Sequence, residues 1–100
     1  MQKEQILSYL ATIKNDLSVN GIDKIGLFGS FAKGSADLYS DIDIVIQTSP
    51  TFVKKFKGIK SFLFLDDLRK DIENKFKRPV DICDETGLKN LSVIEGAVYA

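Results

Sequence analysis

The chain has 100 residues, of which 44% are hydrophobic and 28% are charged, proportions that are ordinary for a globular protein. Basic and acidic residues number 14 each, so the net formal charge is zero, which argues against generic binding to nucleic acid or to an anionic membrane. A chain of this length has room for one hydrophobic core. We therefore expect a single domain over residues 1–100, without a separate substrate domain.

The compartment is indicated by features that the chain lacks. Cys83 is its single cysteine, which excludes a disulfide framework and favours a reducing compartment. Residues 2–4 lead directly into a helical pattern, so we expect no signal peptide. No apolar run approaches the length needed to cross a bilayer. These observations predict a cytoplasmic protein with no membrane partner.

The first third of the chain predicts a helix, a strand and a turn. Apolar residues recur at helical spacing over residues 2–18, and Asn20-Gly21 ends this helix. Residues 24–28 predict a short buried strand that ends at a Gly29-Ser30 turn. We expect a brief helix to begin at Ser30 and to include residues 31–34, followed by a loop over residues 35–40.

The second predicted strand carries two acidic residues. Residues 41–47 alternate, with Asp41, Asp43 and Val45 on one face and isoleucines on the other. Thr48-Ser49-Pro50 ends the strand. Successive residues on one face are roughly 6–7 Å apart along a strand, so the two carboxylates are expected to lie side by side.

The second half of the chain predicts a helix, a strand and a final helix. Residues 51–60 are basic and irregular, and we expect a solvated loop there. Residues 61–76 predict a helix with an apolar stripe made of Phe62, Leu65, Leu68, Ile72 and Phe76. Residues 80–83 predict a strand, and residues 88–99 a helix, although Val93, Val98 and Tyr99 leave a strand possible. This order predicts an α/β (α+β) fold in which helices pack on a small mixed sheet.

A metal site would explain the two neighbouring carboxylates. Like charges that close repel each other, and this repulsion favours a divalent cation between them. Mg²⁺ prefers carboxylate oxygens and commonly bridges them to substrate phosphates, and paired ions can stabilise an in-line phosphoryl displacement. Asp81 is the best third ligand, because it is the only other acid inside an apolar strand pattern. We therefore expect Asp41, Asp43 and Asp81 to hold Mg²⁺.

The Gly29-Ser30 turn is suited to binding a phosphate. A turn between a buried strand and a helix presents backbone N–H groups to an anion. Gly29 permits a close approach of the backbone, and the Ser30 hydroxyl can donate a further hydrogen bond. Lys33 follows closely and can meet a terminal phosphate as a point charge, although an ordinary surface lysine is an equally good interpretation.

These residues together resemble a known family. The segment "GSFAKGSADLYSDIDIVI" resembles the signature of the nucleotidyltransferase superfamily, whose members include DNA polymerase beta and kanamycin nucleotidyltransferase. "RPVDI" at residues 78–82 supports the resemblance, which covers roughly residues 24–100. The short length and the ending "VIEGAVYA" are most similar to the minimal nucleotidyltransferases, antitoxins that are encoded beside HEPN-domain toxins.

The resemblance implies a function for each motif. It implies that Gly29 and Ser30 form the nucleotide-binding turn, that Asp41 and Asp43 bind metal, and that Asp81 helps to activate the attacking hydroxyl. Lys33 stands where many minimal members carry arginine, so the bidentate fork for the γ-phosphate is missing. For the toxin-linked branch the resemblance implies Mg²⁺-dependent transfer of AMP from ATP to a tyrosine hydroxyl of a HEPN toxin. From the neutral charge balance we expect no direct binding of nucleic acid.

Other interpretations stay open at this point. A lone Gly-Ser is most often only a turn, and a lone Asp-x-Asp is usually the exposed face of an edge strand; their joint spacing favours the site. A catalytically inactive antitoxin would neutralise its toxin by forming a stable complex. A third possibility is an aminoglycoside-type enzyme that modifies a small molecule together with an accessory subunit.

Overall fold

The structure is a computed structural model that describes residues 2–86 and 96–100. Helices and strands occur throughout this part of the chain. The elements in chain order are α1 Lys3–Val19, β1 Ile22–Phe28, α2 Gly29–Lys33, β2 Ile42–Thr48, α3 Pro50–Lys55, α4 Ile59–Phe76, β3 Val80–Asp84 and β4 Val98–Tyr99. Among these elements, no helix has both the length and the apolar character needed to span a bilayer.

The strands form one mixed sheet in the order β3-β2-β1-β4. β1 pairs antiparallel with both β2 and β4, whereas β2 and β3 run parallel. The parallel pair is connected through α3 and α4, as parallel neighbours require a crossover. The predicted fold class, a small mixed sheet packed with helices, is confirmed.

The core lies on one face of this sheet, where β1 and β2 present aliphatic side chains to α1 and α4. Ile42, Ile44 and Ile46 alternate along β2 and are fully buried. Each such side chain contributes about 1.5–3 kcal/mol by leaving water. The helices supply Ile6, Leu10 and Ile72, also fully buried. The buried side chains, which recur every second residue in the strand and about every 3.6 residues in the helices, thus pack into one cluster.

The prediction of a loop over residues 51–60 is wrong in part. Pro50–Lys55 form α3, and α4 already begins at Ile59. Ser49 is extended, and Pro50 is suited to the first helical position, where its missing N–H would have no partner. The Phe52 ring is buried and packs against Phe56 and Phe64. The apolar spacing is short and is interrupted by lysines, so the pattern alone did not indicate a helix.

The predicted stripe on α4 is also partly wrong. Leu68 and Ile72 are buried, but the Phe62 side chain is 66% exposed. Phe62 lies beside β3, an edge strand among the described residues, and lines a groove there with Asp81 and Ile82. The helical spacing is therefore right, since Phe64 and Leu65 pack against the core, but Phe62 lies beside the edge of the sheet and stays uncovered.

The helix predicted over residues 88–99 is wrong at its end. Val98 and Tyr99 form β4 and pair with Leu27 and Gly26 of β1. Two β-formers next to an unpaired edge favour a strand there, which is the alternative that the sequence left open. The remainder of this prediction, over residues 87–95, lies outside the described residues.

A polar cluster ties β4 to the rest of the sheet. Glu85 is only 6% exposed, and its Oε1 accepts hydrogen bonds of 2.5 Å from the Gln47 Nε2 and from the Tyr99 hydroxyl. Burial, followed by the hydrogen bond and the charge of Glu85, raises the pKa of Tyr99 to about 12. The Tyr99 hydroxyl therefore stays protonated and donates at neutral pH.

We expect Tyr99→Phe to lower the free energy of unfolding by about 1.5–3 kcal/mol at pH 7, because a hydrogen bond to a charged acceptor is lost. The folded-state pKa lies above the ordinary value of 10.0, so this contribution is complete below pH 10 and is lost as the pH rises towards 12. Urea unfolding followed by circular dichroism measures the difference. Tyr39→Phe is the control, since Tyr39 is 91% exposed; equal losses in both variants would contradict the assignment.

Candidate active site

Two of the predicted site aspartates lie side by side on neighbouring strands. Asp43 of β2 is the register partner of Asp81 of β3, and adjacent strands are about 4.8 Å apart. Buried Ile42 and Ile44 flank Asp43 in the sequence, so the alternation directs Asp43 away from the core. Asp81 follows buried Val80 in the same way. Both carboxylates therefore belong to the face of the sheet opposite the aliphatic core.

Asp41 joins this pair from the segment that leads into β2. It is exposed and lies two residues before Asp43. Burial raises the pKa of Asp43, and the charges of Asp81 and Asp41 raise it further. The Asp43 carboxylate is therefore within electrostatic range of both other aspartates, and the local field disfavours its ionised form in the absence of a cation.

Gly29 brings the turn after β1 against the same carboxylate. Its φ is +69°, and a Cβ atom built on it would lie 2.3 Å from Oδ2 of Asp43. The last residue of β1, Phe28, is the register partner of Asp43, which sets this distance. Gly29 and Asp43, which are 14 residues apart in the sequence, thus lie against each other.

Ser30 and Lys33, the other two residues that were predicted to bind phosphate, both lie on α2. Ser30 is the second residue of α2 and is partly buried beside Gly29. Lys33 is the last residue of α2 and is exposed, and Gly34 ends the helix in the left-handed conformation. Within the described residues, no ion pair joins Lys33 to an aspartate.

The three aspartates have the chemistry of a site for a hard divalent cation. Within residues 2–86 and 96–100, no group of three ligating side chains is already close enough to hold an ion. The ion pairs found in that part of the chain all lie on α4, so none neutralises Asp41, Asp43 or Asp81. Carboxylate oxygens that repel one another without a basic partner fit Mg²⁺, which binds through a few carboxylates and keeps several waters.

Arg78 is a residue near the site that sequence reasoning missed. It lies three residues before Asp81, and its Nη1 donates hydrogen bonds of 2.9 Å to the carbonyl oxygens of Asp37 and Ser40. Its guanidinium also lies 5.2 Å from the centre of the Phe31 ring of α2. An arginine before the proline that precedes β3 was the available signal, but its acceptors are backbone carbonyls, which leave no trace in the sequence.

Comparisons with known proteins agree with this arrangement. A family model described as a nucleotidyltransferase domain matches residues 7–98. The chain is 32% identical over 100 residues to protein adenylyltransferase MntA of Thermococcus cleftensis, which covers 96% of this chain and 93% of that protein. It is 36% identical over 61 residues to a putative protein adenylyltransferase of Methanocaldococcus jannaschii, which covers 56% of this chain and 62% of that protein.

The fold and these matches define the class of protein, an enzyme that transfers a nucleotidyl group. The chain belongs to the nucleotidyltransferase domain family, because the family model spans most of its length. The resemblance noted from the "GSFAKGSADLYSDIDIVI" segment is thereby confirmed at the level of the family.

Proposed function

We propose that this protein is an Mg²⁺-dependent adenylyltransferase that transfers AMP from ATP to a tyrosine hydroxyl of a cognate HEPN-domain toxin and so acts as its antitoxin. Asp41 and Asp43 hold the metal, and Asp81 is the third ligand and the base. Gly29 and Ser30 seat the triphosphate, and Lys33 meets the γ-phosphate. The protein acts as a single domain in the cytoplasm.

The observation that supports this proposal most is the pairing of Asp43 with Asp81 beside Gly29. Phosphoryl transfer requires little covalent chemistry from the protein, and catalysis consists chiefly of alignment and charge neutralisation. Carboxylates next to a glycine turn supply both requirements, since the turn leaves room for phosphate and the carboxylates attract the cation. The name of the Thermococcus relative, protein adenylyltransferase, supports AMP as the group transferred.

The proposed reaction is an in-line displacement at the α-phosphorus of ATP. The acceptor hydroxyl oxygen forms a bond to this phosphorus, the bond from it to the bridging oxygen of the β-phosphate breaks, and pyrophosphate leaves. The hydroxyl proton passes to the Asp81 carboxylate. Bound Mg²⁺ would supply the positive charge that stabilises the attacking and leaving oxygens.

A protein acceptor is supported by the surface next to Asp81. A groove between α4 and the edge of β3 is lined by Phe62, Leu65 and Ile82 and includes Asp81 itself. Phe62 and its neighbour Leu63 are 66% and 51% exposed. Large exposed apolar side chains next to a site favour contact with another protein surface. An acceptor that delivers its hydroxyl to Asp81 would cover this groove.

We expect Phe62→Ser to raise the KM for the HEPN acceptor about tenfold, which corresponds to about 1.4 kcal/mol, because aromatic side chains are enriched among the few interface residues whose truncation costs this much binding free energy. The KM for ATP is expected to stay the same, since Phe62 lies on the acceptor side. Val53→Ser is the matched control: Val53 is 63% exposed but does not line this groove. Steady-state transfer rates at varied acceptor and varied ATP concentrations distinguish the two variants.

The proposed function is tested by incubating the protein with Mg²⁺, each of the four α-labelled NTPs, and the HEPN protein encoded beside it. Intact-mass measurement is expected to show that the HEPN protein gains AMP from ATP, and fragmentation is expected to assign it to a tyrosine. A stable complex that contains an unmodified HEPN protein would contradict the proposal and favour occlusion. Rescue from the toxin by the Asp41, Asp43 and Asp81 triple asparagine variant would do the same.

A further inference from the structure

The loop over residues 35–40 connects the two halves of the proposed nucleotide site. It leaves the end of α2, whose first residues are Gly29 and Ser30, and leads directly to Asp41. The β1–β2 register already places Gly29 beside Asp43, so the conformation of the loop determines how Asp41, which precedes β2, is placed relative to the turn. A loop of this kind, with mostly exposed residues, is ordered only if hydrogen bonds hold its backbone.

The loop closes on itself through two side chains. The Asp37 carboxylate accepts hydrogen bonds from the Tyr39 N–H at 2.9 Å and from the Ser40 hydroxyl at 3.2 Å. The Ser40 hydroxyl oxygen accepts one from the Asp37 N–H at 2.8 Å. Such local hydrogen bonds fix the turn but do not fix its orientation relative to the strands.

Arg78, which lies just before β3, connects this loop to the sheet. In the part of the chain that the structure describes, it is the only side chain from outside the loop that hydrogen-bonds to it, and it does so at the carbonyls of Asp37 and Ser40. The next residue, Pro79, accepts a hydrogen bond of 2.9 Å from the Ile42 N–H at the start of β2. The backbone next to Arg78 is thus held against the start of the strand that carries Asp43.

The same guanidinium contacts α2. It lies 5.2 Å from the centre of the Phe31 ring, within the range of a cation–π interaction, and Phe31 is 3% exposed. A planar guanidinium can stack on a ring and donate to two carbonyls at once, which an ammonium does less well. Arg78 therefore contacts α2 and the loop while the backbone beside it pairs with β2.

We propose that Arg78 is a positioning residue that holds Asp41, at the end of the loop, in the arrangement relative to the Gly29-Ser30 turn that is needed to bind a metal-nucleotide. The inference rests on the proposed assignment of these residues to the nucleotide site. It does not depend on the identity of the acceptor. Both recorded hydrogen bonds of Arg78 go from its Nη1 to backbone carbonyls, so the proposed role acts through the loop.

The test compares Arg78→Ala and Arg78→Lys with wild type by hydrogen–deuterium exchange and by titration with Mn²⁺·ATP. In the alanine variant we expect exchange of residues 37–42 to rise about tenfold or more, with exchange in the middle of α4 unchanged, because the loop opens locally. The affinity for Mn²⁺·ATP is expected to fall about tenfold or more, because Asp41 is no longer held in place relative to the turn. The lysine variant recovers part of both, since its ammonium can still donate to the carbonyls.

Leu17→Ala is the control for general destabilisation, because Leu17 is 6% exposed in the core at the C-terminal end of α1 and belongs neither to the loop nor to the proposed nucleotide site. It is expected to lower the unfolding temperature but to keep wild-type exchange in residues 37–42 and wild-type affinity for Mn²⁺·ATP. The inference is overturned if Arg78→Ala keeps both properties, or if Leu17→Ala loses both to the same extent. Neither readout requires an acceptor, so the outcome of this test does not depend on whether the HEPN protein is modified.

Discussion

Asp43→Asn is expected to reduce nucleotidyl transfer to background while the protein stays folded. Asp43 is the aspartate that lies in register with Asp81 and against Gly29, so it is the centre of the proposed metal site. Asparagine keeps the shape of the side chain but removes the charge that attracts the cation. We therefore expect a decrease of at least about 10³-fold in the rate, in line with removing a principal electrostatic contribution to catalysis.

The same variant is expected to be at least as stable as wild type without metal. The pKa of Asp43 is raised above its ordinary value of 3.8, first by burial and then by the charges of Asp81 and Asp41. A carboxyl group whose folded-state pKa is raised stabilises the fold below its ordinary pKa and loses this contribution as the pH rises through the folded-state value. At pH 7 the ionised carboxylate therefore opposes folding, and asparagine removes the opposition.

Mg²⁺ should reverse the order of stability. Wild type gains about 1.4 kcal/mol at a free Mg²⁺ concentration ten times the Kd, which raises the unfolding temperature by roughly 4–8 °C per kcal/mol in a domain of this size. Asp43→Asn should gain far less. Asp67→Asn is the matched control, because Asp67 is an exposed aspartate of α4 outside the site. If Asp43→Asn retained transfer, or responded to Mg²⁺ like wild type, the metal assignment would be wrong.

Most of what could be predicted about the site follows from the alternation of apolar and acidic residues along the strands. The isoleucines of β2 require one buried face, so Asp41 and Asp43 had to be directed to the other face, and the same argument applied to Asp81 between Val80 and Ile82. That β2 and β3 are neighbours does not follow from alternation. It was assumed when Asp81 was chosen as the third ligand, and the parallel register places Asp43 and Asp81 side by side.

The parts that could not be predicted depend on contacts between distant backbone groups. The acceptors of Arg78 lie 41 and 38 residues away along the chain and are carbonyls, which every residue has. The pairing of β4 with β1 likewise depends on which edge is vacant after β2 has paired. α3 was missed because the segment is short. Phe52 and Phe56 are a single apolar pair among lysines, and one pair does not distinguish a helix from a loop.

Gly29→Ala is expected to lower the transfer rate by about 10²-fold, because it moves the carboxylate that the site depends on. The new Cβ would lie 2.3 Å from Oδ2 of Asp43, closer than non-bonded atoms can approach. The backbone at Gly29 has a φ of +69°, which also costs an L-residue roughly 1–2 kcal/mol. The substitution thus combines a stability loss with a displacement of Asp43, and the two effects have to be separated.

The Gly34→Ala variant distinguishes the loss of stability from the displacement of Asp43. Gly34 ends α2 with a φ of +78°, yet a Cβ built there meets no atom within 4 Å. The alanine therefore introduces similar backbone strain on the same helix without touching an aspartate. We expect urea unfolding to show similar losses of stability in both variants, whereas transfer rates measured well below the unfolding midpoint fall only in Gly29→Ala. Equal losses of rate would mean that strain in α2, and not the approach of Gly29 to Asp43, limits the reaction.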